Sequence, residues 1–291
     1  MALIRPITYT EFVHPISRHI APIYAFAGQH AVVGGTAVIV APGLAVTASH
    51  VVDEIKTQFG YDKSSRNIKL DVYVSQLNTG ASWHVCRYSS WIGTDITVLS
   101  LKARNDEARS ASVERLAMTV DPPIVGTKVT ALGYPGTGLT IPRNDLDVLE
   151  LDFSITPTVS EGEVIEVHRS LRDSANLRFP CFAVNAEFTA GMSGGAVFNQ
   201  SKELCGLVCS GGEGELKDYS YSTSVWPMAI IPVTLPDDIP PHAGITVGET
   251  YKLLDLARLG YVSFHGHERI EFFKHENGSD GVRRHHPNEV A

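Results

Sequence analysis

Short β-branched runs broken at Gly, Pro, Asn or Asp recur along this chain, and they limit what it can fold into. AVVGGTAVIV (31–40), LAVTAS (44–49), IKLDVYVS (68–75), DITVLSL (95–101) and TKVTALGY (127–134) come first. VLELDFSIT (148–156), VIEVH (164–168), CFAVNA (181–186), ELCGLVCS (203–210) and YSYSTSVW (219–226) follow. Strand-length runs at this spacing, with turn residues between them, predict an all-β barrel or sandwich. Helical periodicity is confined to a short turn after Ser49 and to GETYKLLDLARLG (248–260), an amphipathic helix that Gly260 should end. A polar stretch over 101–127, ending near Pro122-Pro123, separates two strand-rich halves, and prolines interrupt the pattern again over 232–244. The expected organisation is a domain over 1–235, with halves of roughly 20–120 and 121–235, then a 236–291 extension with one helix and a polar tail.

Composition removes several classes of function. With 24 Lys and Arg against 32 Asp and Glu, the formal net charge is −8, and nucleic-acid backbones and anionic membranes reward the opposite sign. The N-terminal stretch lacks a signal-type apolar run, and no segment approaches the roughly 20 apolar residues of a membrane span. Four cysteines are too few and scattered for a disulfide framework. Cys205 and Cys209 should share one face of one strand, roughly 13 Å apart by strand rise, too far to bridge. Cys86 and Cys181 read as small buried hydrophobes. The expectation is a cytoplasmic protein with no nucleic-acid or membrane partner. His265, His267, His275, His285 and His286 follow no tight metal-ligand spacing and read as solvated surface, so no metal or cofactor is expected.

Three segments carry chemistry. GLAVTASHVV places His50 where a strand ends, a position that by itself more often holds a satisfied core histidine. WIGTDITVLSL places Asp95 before an apolar run, where a turn aspartate is common. TAGMSGGAVFN is harder to explain structurally, because Gly191, Gly194 and Gly195 around Ser193 imply a tight turn or close backbone approach. A serine on such a turn projects its hydroxyl, and neighbouring N–H groups converge beside it, which suits a nucleophile next to an oxyanion site. A phosphate-binding loop would need a Lys and a long helix after it, and neither is present.

Taken together these segments resemble the chymotrypsin-like (trypsin-fold) serine proteases. TASHVV is similar to their histidine segment, GTDITVLSL to the aspartate segment and GMSGGAVFN to the serine segment, in the same order. GGTAVIV (34–40) resembles the strand leading to the histidine, and TALGYPG (130–136) the start of the second barrel in disulfide-free bacterial members. The resemblance spans about residues 30–235 and implies a double six-stranded β-barrel. It also implies a serine endopeptidase in which His50, Asp95 and Ser193 form the triad and the Gly191 and Ser193 N–H groups form the oxyanion hole. Glu187, six residues before the serine, would lie at the base of the specificity pocket and favour Arg or Lys. Ser210, Gly211 and Gly212 resemble the edge that pairs with a substrate strand.

Departures from the family also carry information. The paired cysteines of the secreted members are missing around His50 and Ser193, which points to the bacterial or viral branch. VVGG at 32–35 sits too close to His50 to be an activation cleavage site, and Met192 stands where an aspartate would pair with a new N-terminus. Control is therefore expected from another source, such as a regulatory protein partner. Two other classes use the same pattern: a catalytically silent protease-fold module that binds peptide or protein, and an esterase with the same triad.

Overall fold

The computed structural model describes residues 3–6, 8, 14–27, 30–62, 71–136, 138–140, 144–145, 148–149, 152–154, 156–173, 177–211 and 219–286. Strands β1 (Ile20–Ala27), β2 (His30–Ala41), β3 (Leu44–Ala48), β4 (Asp71–Gln76), β5 (Ala81–Ser90) and β6 (Ile96–Ala103) close one barrel in the order β1-β2-β3-β6-β5-β4. Strands β7 (Lys128–Gly133), β8 (Thr158–His168), β9 (Cys181–Val184), β10 (Ala196–Phe198), β11 (Leu204–Gly211) and β12 (Ser220–Ser224) form a second ring, β7-β8-β9-β12-β11-β10, closed by β10 on β7. Both rings are antiparallel throughout and share one strand order, so the chain is an all-β double six-stranded barrel. Closure leaves neither ring with an open edge. The α-helices among the described residues are short: α1 (Ser49–Gln58), α2 (Asp106–Ser110) and α3 (Leu253–Arg258). None is long and apolar enough to cross a membrane.

Burial on both faces explains why the strands read as continuous apolar runs rather than alternating ones. Successive side chains of a strand point to opposite faces. On β2, Ala37 and Ile39 fill the first barrel, while Val38 and Val40 face outward into a second core lying between the barrels. Strand β3 repeats this, with Ala45 inside and Leu44 and Val46 outside. The first barrel's interior is rich in alanine (Ala21, Ala25, Ala37, Ala45, Ala48), as a narrow closed barrel requires.

The segment after residue 235 differs from the single helix and polar tail expected there. Thr250–Lys252 pairs with Pro232–Thr234 as strand, and the helix begins only at Leu253, where the Asp255 carboxylate accepts the Lys252 N–H at 3.3 Å. Strand β13 (Ser263–His265) runs parallel to Ala117–Thr119, which itself lies against β11, and β14 (Ile270–Lys274) with β15 (Asp280–Arg284) forms a hairpin. Leu253, Leu254, Leu256, Tyr261, Phe264 and Val282 enter the inter-barrel core beside Met118 and Trp226. Asp121 ties the hairpin down, accepting two bonds from Arg269 at 2.7 and 2.6 Å and one from Arg284 at 2.9 Å. The tail histidines take separate partners, His285 with Glu271 and His265 with Glu203.

The cysteines also depart from expectation. Cys86 is exposed, not buried. Cys205 and Cys209 do not share a face: Cys205 packs with Val197 and Val208 in the second barrel, and Cys209 packs with Cys181, Phe179 and Tyr221 outside it. The reason lies in the sheet register. Cys86, Cys205 and Cys209 each fall at a shift where one strand carries an extra residue, between Val85 and Arg87, Leu204 and Gly206, and Val208 and Ser210. A β-bulge of this kind re-aims the side chain it carries.

Candidate active site

His50 stands where β3 gives way to α1, and Asp95 ends the turn that leads into β6. Because Ala48 pairs with Ile96 across adjacent strands, two residues 45 apart in sequence meet at one end of the first barrel. His50 Nδ1 lies 2.7 Å from Asp95 Oδ2, and the His50 backbone N–H donates to Oδ1 at 3.1 Å. A carboxylate only accepts, so Nδ1 carries the proton and Nε2 is left with a free lone pair. Burial disfavours the imidazolium, but the hydrogen bond and charge of Asp95, helped by Glu54 and Asp53, outweigh it and hold His50 above its usual pKa.

The Cys209 thiol donates to the same Oδ2 at 3.2 Å, so the buried carboxylate is anchored from three directions. Burial, then the charge of Asp95, pushes that thiol well above its ordinary pKa, which keeps the proton it donates. Sequence reading missed this role because only the bulge at Cys209 turns the side chain toward Asp95. His50, Asp95 and Cys209 also offer donor atoms within 4.8 Å of one another, a set that suits a soft divalent metal. In this geometry all three belong to one hydrogen-bond network.

Ser193 comes from the second barrel, on the loop between β9 and β10. Gly191 and Gly194 take φ of +92° and +80°, where an L side chain is strained. A Cβ on Gly194 would also fall 2.2 Å from Thr47 Oγ1 and 2.3 Å from the Thr36 carbonyl. The N–H groups of Met192, Gly194 and Gly195 are spent on Thr189, Val208 and Met192 carbonyls. Among the described residues, the N–H groups of Gly191 and Ser193 have no acceptor. Two adjacent donors left open beside a serine hydroxyl form an anion-receptive notch.

Thr36, on β2 of the first barrel, holds this loop in place. Its N–H donates to the Ser193 carbonyl at 2.9 Å and its hydroxyl to the Gly191 carbonyl at 3.0 Å. The same oxygen accepts the Tyr134 N–H at 2.9 Å, and the Thr36 carbonyl accepts from Thr47 at 2.7 Å. Thr36 is fully buried, and in the sequence it passes as one more β-branched strand residue.

Ser193 Oγ donates to the Cys209 carbonyl at 3.4 Å, and among the described residues no hydrogen bond joins it to His50. Ser210 and Gly211 end β11 opposite Tyr221 and Ser220, while Gly212 lies outside the described residues. Glu187 is exposed, and its backbone carbonyl accepts from Ser160 Oγ at 2.7 Å. The buried carboxylate that a preference for Arg or Lys would need is therefore not formed there. Met192 is fully buried in the second-barrel core.

The fold and the three converging segments define a chymotrypsin-like serine peptidase architecture. The profile of the trypsin-like peptidase domain family matches residues 35–207, more than half of the chain, and the chain belongs to that family. No curated protein sequence matches it. Among solved structures it is similar to the HtrA-type protease AlgW with a decapeptide, at 16% identity and a TM-score of 0.52, covering 75% of this chain and 64% of that one. The chain thus spans less than two thirds of that relative's length. It is also similar to the Rv3671c protease of M. tuberculosis in its active form (17% identity, 72% and 77% coverage, TM-score 0.47). A third is the serine endoprotease of Yersinia pestis (17% identity, 76% and 63% coverage, TM-score 0.46).

Proposed function

We propose that the chain is a serine endopeptidase acting on a polypeptide through His50, Asp95 and Ser193. The observation that carries this reading is the approach of a hydrogen-bonded His50–Asp95 pair to a serine loop with two unspent N–H donors. Ser193 Oγ attacks the peptide carbonyl carbon while its proton passes to His50 Nε2, and the carbonyl electrons move onto oxygen. The Gly191 and Ser193 N–H groups receive that oxyanion, each donor worth about 3 kcal/mol of barrier in sites of this kind. As the intermediate collapses, the C–N bond breaks and the leaving amine takes the proton from His50. Water then repeats the sequence on the acyl-enzyme. Asp95 fixes the tautomer and stabilises the imidazolium. The decapeptide held by the HtrA-type relative supports a peptide as the substrate class.

One observation favours a second reading, a catalytically silent peptide-binding module: the Ser193 hydroxyl is turned to Cys209 rather than to His50. Triad hydrogen bonds are often loose without substrate, so this orientation does not exclude catalysis. Control by a regulatory partner fits a chain with Met192, and not an aspartate that could pair with a new N-terminus, before the serine.

Intact mass after fluorophosphonate treatment tests the proposal. One adduct is expected on wild type, none on Ser193→Ala and much slower labelling of His50→Ala. A folded wild-type protein that takes no adduct would overturn the endopeptidase reading in favour of the binding module.

A further inference from the structure

A cavity of about 660 Å³ lies between the loop joining β8 to β9 and the β14–β15 hairpin, with Trp91, Gly93 and Trp226 on its wall. Arg169, Arg178, Arg283 and Arg284 all line it, and no Asp or Glu does among the described residues. This concentration of one sign occurs in a chain whose net charge is −8. Two of the four guanidiniums are partly neutralised from behind. Arg284 bonds Asp121 at 2.9 Å, and Arg283 lies 3.5 Å from Glu271 and over the Phe273 ring at 4.6 Å. Arg169 and Arg178 are exposed and have no ion-pair partner among the described residues. Burial lowers the pKa of Arg284 despite Asp121, and the charges of Arg269 and Arg169 lower it further, so cations are crowded here.

The cavity's position decides between occupants. Trp91 precedes Asp95 by four residues, at most ~14 Å of extended chain, so a polypeptide crossing the triad reaches the cavity within a few residues. An apolar side chain on its wall is also open to solvent: Leu171 is 53% exposed. A free phosphate would use the guanidiniums and leave the tryptophans and Leu171 without contact. A peptide uses both.

We propose that this cavity binds a carboxylate-rich segment of the polypeptide substrate, a few residues away from the bond that is cut. The substrate role rests on the endopeptidase reading; the binding does not. The test titrates full-length Ser193→Ala protein with fluorescently labelled hexaglutamate, followed by anisotropy, with hexaalanine as control. Saturable binding that weakens as ionic strength rises is expected, together with a Kd raised about ten-fold or more by Arg169→Ala/Arg178→Ala. Those two exposed arginines are outside the triad, so the same pair in the Ser193 background should take fluorophosphonate at the wild-type rate. On wild type, a peptide carrying an acidic stretch should also show a lower KM than its neutral counterpart with kcat unchanged, and the double variant should lose that difference. No binding of hexaglutamate, binding unaffected by the double variant, or displacement by an equal concentration of inorganic phosphate would each overturn the site, the last identifying a small-anion pocket. Intact binding with no fluorophosphonate adduct on wild type would overturn the substrate role alone.

Discussion

The two barrels have the same strand order and different tasks. The first contributes side chains: His50 and Asp95, fixed where adjacent strands β3 and β6 begin and end. The second contributes backbone, in the form of a glycine-rich loop that presents Ser193 and two open N–H groups. Their interiors differ accordingly. The first is packed with alanines around β1–β3, while the second holds Phe182, Met192, Val197 and Cys205 beneath the serine loop. Neither half positions its own chemistry alone. Thr36 of the first barrel fixes the loop of the second, and Cys209 of the second anchors the carboxylate of the first. One ring topology can therefore be used twice, with function carried by the groups each copy lends across the seam.

That exchange can be broken one bond at a time. Asp95→Asn strikes the first barrel's contribution hardest, and kcat/KM should fall about 10⁴-fold as His50 loses its oriented tautomer. The pH profile supplies the sign. His50 works as a neutral base and Asp95 raises its pKa, so wild-type activity should fall off on the acid side through a midpoint above 6.5. In Asp95→Asn the midpoint should move down, and an unmoved midpoint would show that Asp95 does not set it. Thr36→Val removes the bonds to Gly191 and Tyr134 without adding bulk. We expect kcat to fall about 10²-fold with KM little changed and the thermal midpoint lowered, because the loop is misplaced and the buried Tyr134 N–H loses its partner. A fall in KM-linked binding alone would argue against the coupling.

Cys209→Ala deletes one weak donor to Asp95, and about a five-fold loss in kcat should follow, consistent with a hydrogen bond worth about 1 kcal/mol. Cys209→Ser should recover most of it. The smallest effect is expected outside the site. In Asp121→Asn, stability should drop modestly at neutral pH. Arg269 holds the Asp121 carboxyl below its usual pKa, so its contribution is present above the ordinary carboxylate range and is lost as pH falls through the depressed value. Melting wild type and variant from pH 7 to pH 2 should show two curves that converge in acid.

What could be read from the sequence followed from how local each signal is. His50, Asp95 and Ser193 each sit in a short segment whose composition reports its own geometry, and the strand runs announced both rings. Strands β1 and β5 went unrecognised because proline, polar and charged residues interrupt their alternation. Thr36 and Cys209 act through partners 155 and 114 residues away, and nothing in their own segments marks them. Glu187 was assigned by counting back from the serine, which fixes a position in the chain but not the direction of a side chain. The stretch after Gly260 reads as tail because its strands are short and charged. They are held by Asp121, more than 140 residues earlier, and by packing of Phe264 and Val282 into the inter-barrel core, and not by their own periodicity.

The inter-barrel core has a consequence for the timing of synthesis. Chains fold from the N-terminal end as they emerge, yet Leu253, Leu254, Tyr261, Phe264 and Val282 all belong to the same packed cluster as Leu44, Met118 and Trp226. The Tyr261 hydroxyl also donates to the Pro42 carbonyl at 2.6 Å, across 219 residues of sequence. A ribosome that has made every residue of both barrels still carries an unfinished seam. The segment around 253–282 is the last to add its side chains to that seam, after the residues of both barrels that Thr36 and Cys209 join directly.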